Sequence, residues 1–175
     1  MPTNNSDYYL GNPNLKKVGT DINFTKEQIA EYLKCKEDPV YFAMNYIKII
    51  SLDEGIVPFK MWDFQQELIE SFHKHRFNIA KLPRQTGKST TCVSYLLHYV
   101  LFNDNVNVGI LANKLSTARD LLGRLQLAYE QLPMWMQQGI ITYNKGSMEL
   151  ENGSKILAAS TSASAVRGMS FNIIF

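Results

Sequence analysis

Apolar residues in this chain recur at helical spacing in some stretches and stand in short unbroken runs in others, and that contrast sets the predicted elements. "TKEQIAEYLKCKEDP" reads as a helix capped by Thr25, with Gln28 completing a capping box. Asp38-Pro39 follows as a cap with proline at the first helical position, opening a second helix over "VYFAMNYIKII". "SLDEGIVPF" reads as a turn-rich connector. "MWDFQQELIESFHKH" then sets Phe64, Leu68, Ile69 and Phe72 at helical spacing, which predicts an amphipathic helix. Ahead of these elements, residues 1–24 are rich in Asn, Gly and Pro and carry no period, so they predict a loose arm.

Farther along, strands and helices alternate. "FNIAKL" predicts a short strand, "STTCVSYLLHYVLF" a helix and "VNVGILA" a second strand. "LSTARDLLGRLQLAYEQL" predicts a long helix with Leu121, Leu122, Leu125 and Ala128 on one face. "GIITYNKGSMELENGSKILAAS" holds three short runs, and Asn152-Gly153 between the last two is a hairpin signal. "TSASAVRGMS" reads as a loop and "FNIIF" as a final strand. Such alternation implies an α/β fold with a mostly parallel sheet covered by helices on both faces. The expected organisation is a flexible N-terminal arm (1–24), a helical lead-in (25–58) and a core (59–175). Because Phe171 to Phe175 read as a buried strand that has barely ended, the chain is expected to be a fragment truncated before the end of its domain.

Composition narrows the classes. With 175 residues, 45% hydrophobic and 19% charged, the chain reads as soluble and globular. No run of about 18 apolar residues predicts a membrane span, and "MPTNNSDYYLGNPN" is not a secretory signal. The two cysteines, Cys35 and Cys92, lie far apart without metal-ligand partners, which fits a reducing compartment. His73, His75 and His98 have no carboxylate or cysteine at ligand spacing. A net charge of +2 does not by itself argue for nucleic acid.

Candidate chemistry concentrates in "KLPRQTGKSTT", residues 81–91. A phosphate-binding loop needs a strand that enters it and a helix that leaves it, so that backbone N–H groups and the helix dipole face the anion. It also needs a glycine for close approach, a lysine for the terminal phosphates and a hydroxyl for Mg²⁺. Gly87, Lys88 and Ser89 supply these, with Pro83, Gln85, Thr86 and Thr90 around them. The full pattern G-x-x-x-x-G-K-[ST] wants glycine where this chain has Leu82, and Pro83 with its fixed φ can shape that turn instead. The competing reading makes Gly87 a turn cap and Lys88 a solvated lysine. Arg84 is either a charge stabiliser for a γ-phosphate or a surface arginine. Gln65, beside Phe64, is either a reader of an adenine edge or an exposed helix glutamine. Arg167, on the loop before the last strand, either faces DNA or nucleotide or is a turn arginine.

Together these stretches resemble the ATPase domain of the large terminase subunit, the DNA-packaging motor of tailed bacteriophages, in its myovirus-type branch. "WDFQQELI" is similar to the family's Q motif, "LPRQTGKSTT" to its variant Walker A, and "VGILANK" to its motif Ia. The stretch from "LPMWMQQG" to "SFNIIF" resembles the approach to Walker B. The resemblance implies a P-loop NTPase of the RecA/ASCE type using ATP and Mg²⁺. Within it Gln65 reads adenine with Phe64 beside it, Lys88 binds the β/γ-phosphates, Ser89 holds Mg²⁺ and Arg84 is a catalytic arginine. It further implies double-stranded DNA, a portal protein and a small terminase subunit as partners. An oligomeric ring on the prohead, no membrane, and the cytoplasm of the infected bacterial host complete that picture. A Walker B acidic pair and a nuclease domain are implied beyond Phe175. The alternatives are a superfamily 2 helicase or translocase and a non-catalytic nucleotide-binding assembly module.

Overall fold

A computed structural model describes residues 7–51, 53–161 and 168–175. After a 3-10 turn at Tyr9–Gly11, two short α-helices form the lead-in. In α1 (Lys26–Glu37), the Thr25 hydroxyl accepts from the Gln28 N–H while the Gln28 side chain accepts from the Thr25 N–H, so the expected capping box forms. α2 (Pro39–Tyr46) starts at Asp38, whose carboxylate accepts from the N–H groups of Val40 and Tyr41, with proline at the first position.

The next segment departs from the expected pattern. The second helix stops at Tyr46, and "KIIS" is instead strand β1 (Lys48–Ser51), paired antiparallel with β2 (Gly55–Pro58). β-Branched Ile49, Ile50, Ile56 and Val57 favour the pleated form, and Gly55 takes the positive φ of 74° that the turn requires. The expected connector is therefore the second arm of a hairpin.

α3 (Asp63–Lys74) leads toward the loop, and α4 (Lys88–Phe102), β3 (Asn107–Ala112) and α5 (Leu115–Glu130) follow. β4 (Ile140–Tyr143), β5 (Ser147–Leu150), β6 (Lys155–Ser160) and β7 (Ile173–Ile174) complete a five-stranded sheet of order β4-β5-β6-β3-β7. β3 runs parallel to both β6 and β7, whereas β4-β5 and β5-β6 are antiparallel. The sheet is thus mixed, not mostly parallel. The cause is local: Asn144 caps one tight connection through Gly146 and Ser147, and Asn152-Gly153 makes the next. The expected final strand over "FNIIF" shrinks to two residues.

α5 packs on β3 and β6 and against α4. Val108 and Ile110 of β3 and Leu122, Leu125 and Tyr129 of α5 are fully buried. Gly109 points the other way along the alternating strand, and a Cβ there would sit 3.2 Å from the Phe171 ring. The lead-in shares this core: Phe42 of α2 stands edge-on to Phe102 of α4, ring centroids 5.5 Å apart.

Two further expectations fail. The arm is not loose where it is described: Leu15 is buried, the Lys16 N–H donates to Gln137 Oε1, and the Ile140 N–H donates to the Lys16 carbonyl. Gly19 N–H also reaches Glu151. The arm therefore covers the outer edge of β4, a place where unpaired backbone groups would otherwise stand open. Nor is "FNIAKL" a strand: no residue between 77 and 82 pairs with the sheet, and Ile79 is 99% exposed. A strand needs a hydrogen-bonded neighbour, and among the described residues none lies beside this run.

Candidate functional site

The loop 82–87 and the start of α4 form the site. Gly87 precedes the helix at φ 74°, ψ 12°, a left-handed conformation that suits glycine. α4 has no side-chain cap and no acidic residue in its first turn. The N–H groups of Lys88, Ser89 and Thr90 have no hydrogen-bond partner among the described residues. Three open donors at the positive end of a 15-residue helix make a seat for an anion. Gln85, also at positive φ (63°), bends the loop ahead of it.

Lys88 closes the loop on itself. Its ammonium donates to the carbonyls of Leu82, at 3.0 Å, and Pro83. Thr86 Oγ1 donates to the same Pro83 carbonyl at 3.0 Å. Leu82 stands outside the positive-φ positions, so nothing in the backbone there demands the glycine of the full pattern. Ser89 and Thr90 are half-buried, and their hydroxyls make no hydrogen bond among the described residues. Arg84 is exposed and likewise makes no hydrogen bond or ion pair among them.

Gln65 is brought to the loop, but not with a free amide. Oε1 accepts from the Trp62 N–H at 2.9 Å, and Nε2 donates to the Thr86 carbonyl at 3.1 Å. The residue is 3% exposed. Where the sequence suggests an adenine reader, the geometry makes Gln65 a brace between the start of α3 and the loop. A Cβ on Gly87 would lie 2.5 Å from Nε2, so this brace is a second reason for glycine there. Phe64 is half-buried on the neighbouring position of α3. Arg167 lies outside the described residues.

A family model described as "Terminase large subunit, T4likevirus-type, N-terminal" matches residues 79–175, a span that contains the whole loop. The chain belongs to the terminase large-subunit family. The crystal structure of the HK97 bacteriophage large terminase is similar in fold, with a TM-score of 0.64 at 16% sequence identity. That likeness covers 79% of this chain and 30% of the HK97 terminase, so the chain spans well under half the length of that relative.

The terminase match starts after Gln65, so the brace rests on geometry alone. Phosphate fits the residues present: open N–H groups, a lysine held only by carbonyls, and a left-handed glycine. For a divalent cation the loop offers the Ser89 hydroxyl. Among the described residues no cluster of three or more His, Cys, Asp or Glu side chains could hold a metal. Phosphate oxygens and water would supply the other ligands, as is usual for Mg²⁺. No helix among the described residues is long and apolar enough to cross a membrane. Trp62, the residue before α3, is 70% exposed.

Proposed function

We infer that residues 82–90 bind the triphosphate of ATP together with Mg²⁺, in a P-loop NTPase of the RecA/ASCE type. On this reading the chain belongs to the ATP-driven motor that moves double-stranded DNA into a prohead. One observation carries it: a left-handed Gly87 opens an uncapped helix whose first three N–H groups have no partner among the described residues, with Lys88 beside them. The family membership supports the same reading.

Bound ATP supplies the phosphoanhydride whose hydrolysis drives translocation. Toward it, Lys88 would leave the Leu82 and Pro83 carbonyls and neutralise terminal phosphate charge. The N–H groups of Lys88, Ser89 and Thr90 would donate to phosphate oxygens, and Ser89 would give its hydroxyl to Mg²⁺. Arg84, exposed and unpaired among the described residues, is free to swing onto charge that develops as the anhydride bond breaks. Gln65 and Phe64 bound the nucleoside end, with Gln65 holding the loop in register. The proposed working context is a ring of copies on the prohead in the host cytoplasm, with the portal protein and the small terminase subunit as partners.

Calorimetric titration of the protein with Mg-ATP tests this. A charged hydrogen bond is worth about 1.5–3 kcal/mol, so Lys88→Ala should weaken binding by roughly tenfold or more. Equal affinity in wild type and Lys88→Ala would remove the phosphate-site assignment.

A further inference from the structure

We propose that the outer face of α1 is a docking groove for an acidic amphipathic helix of a partner protein. α1 carries apolar residues on two faces. Tyr32 and Cys35 turn inward, with Tyr32 edge-on to Phe102 of α4 at 5.0 Å and Cys35 fully buried. Ile29 and Leu33, one turn apart, face outward and are 50% and 52% exposed. Phe24, 43% exposed and edge-on to Tyr32 at 6.4 Å, stands beside them, and residues 135–138 complete the lining. Together they enclose a groove of about 390 Å³. Its walls are pre-formed: the Gln137 amide donates to the carbonyls of Asn14 and Leu132, and that of Gln138 donates to Leu101. A lone exposed leucine is ordinary, whereas a shaped groove with several exposed apolar side chains marks a recognition surface.

Charge selects the occupant. Lys16 lines the groove and no acidic residue does. At 3.6 residues per turn, Lys26 and Lys36 fall on the same stripe as Ile29 and Leu33, one at each end. None of these three lysines forms an ion pair among the described residues. The acids of α1 lie off the stripe. Glu27 and Glu31 are on the far side, with Glu31 accepting from the hydroxyls of Tyr41 and Tyr46, and Glu37 stands about 80° round from Ile29. A second copy of this face is a poor match. Crossing antiparallel with Ile29 against Leu33, it would set Lys26 against Lys36; in parallel it would set each lysine against itself. Like charges so placed oppose pairing. An extended strand fits no better, because no strand lines the groove among the described residues and no backbone edge is offered there. A helix meets both demands. Its i and i+4 side chains match the rise of about 6 Å between Ile29 and Leu33, and acidic flanks reach the lysines. The groove also stands away from the phosphate loop. Tyr32 meets Phe102, the last residue of α4, whereas Lys88 is the first, about 21 Å along the helix.

Fluorescence anisotropy with two labelled, lactam-bridged synthetic helices tests this on the 175-residue protein. Both carry leucines at i, i+4 and i+7; one is flanked by glutamates and the other by lysines. The glutamate peptide should bind and the lysine peptide should not. Leu33→Glu should weaken that binding by about tenfold or more, with circular dichroism unchanged because Leu33 is exposed. Paired Lys26→Glu and Lys36→Glu substitutions should exchange the preference, so that the lysine peptide binds instead. Affinity should fall between about 0.1 M and 1 M salt, as the Debye length shrinks from about 10 Å to 3 Å. Failure of the glutamate peptide to bind, equal affinity for both peptides, or indifference to Leu33→Glu overturns the proposal. Lys88→Ala should leave the peptide affinity unchanged; its loss there would seat the acidic peptide on the phosphate loop and overturn the proposal as well. Sedimentation that shows self-association abolished by Leu33→Glu would assign the groove to a second copy and refute a separate partner.

Discussion

Substitution of Gly87 by alanine places two separable strains on one atom. The first is backbone: at φ 74° a Cβ meets its own chain, at about 1–2 kcal/mol. The second is contact: that Cβ would stand 2.5 Å from Gln65 Nε2, so the amide must move and give up its 3.1 Å bond to the Thr86 carbonyl. A neutral hydrogen bond of this kind is worth about 1 kcal/mol. Gly87→Ala should therefore destabilise the fold by about 2–3 kcal/mol. Gln65→Ala removes both amide bonds and should cost about 2 kcal/mol. In the double variant the new methyl group finds open space and the Thr86 bond is lost only once. Its destabilisation should fall short of the sum by about 1 kcal/mol. Urea unfolding of the four proteins, at constant m, measures this coupling. Additivity within about 0.5 kcal/mol would show that the Gln65 amide does not brace the loop, and the account of Gly87 would reduce to its φ alone.

Other expectations follow from buried groups and from the exposed run. His98 donates from Nε2 to the Cys35 carbonyl at 2.9 Å and has no hydrogen-bond partner at Nδ1 among the described residues, and burial lowers its pKa to about 4. The unfolded chain, with an ordinary histidine near 6.5, binds the proton first. Stability from this group is thus full above about pH 6.5 and is lost as pH falls toward 4; His98→Leu should flatten that slope in unfolding curves taken between pH 4 and 7. Burial pushes the thiols of Cys35 and Cys92 up to about 12. Neither should react with a disulfide reagent at pH 8 until urea unfolds the protein, and rapid native labelling would contradict their burial. Ile79→Lys should leave stability within about 0.5 kcal/mol of wild type. A larger loss would mean that residues 77–82 are covered in solution.

What the sequence disclosed depended on how far each cause reached along the chain. Thr25 with Gln28, Asp38 with Pro39, and Asn152 with Gly153 act within a few residues, and all three appear as expected. The antiparallel side of the sheet was half legible, because the hairpin at Asn152 already sets β5 against β6. The signal for β4 against β5, Asn144 followed by Gly146, was present and unused. The arm was opaque. Its anchors, such as Lys16 to Gln137, join residues 121 positions apart, and nothing in a stretch of Asn, Gly and Pro announces them. "FNIAKL" failed for the converse reason: its composition suits a strand, but pairing is decided by a neighbour, not by composition. At the site, the Gly-Lys-Ser core was readable from residue type and spacing. Gln65 was singled out as a reader of adenine, whereas its hydrogen-bond partners belong to the folded loop and its own helix start, so the bracing geometry had no trace in the sequence.

The change at Leu82 now has a physical meaning. Glycine is demanded at a loop position by positive φ or by a close neighbour, and both demands fall on Gly87, while Gln85 takes the other left-handed turn. Position 82 contributes its carbonyl, and a leucine carbonyl accepts from an ammonium as well as a glycine carbonyl does. The entrance of the loop is therefore closed by Lys88 reaching back, not by a tight glycine turn. That closure has an energetic consequence on the proposed reading. To reach phosphate, Lys88 must give up two charged hydrogen bonds, each worth about 1.5–3 kcal/mol. Water or a single carboxylate returns little more than is lost. A triphosphate offers several charged oxygens to Lys88 and to the three open N–H groups together, so it alone repays the opening. On the proposed reading, leucine at position 82 leaves phosphate binding intact, and the Lys88 closure, which needs only backbone carbonyls, biases the loop toward highly charged anions.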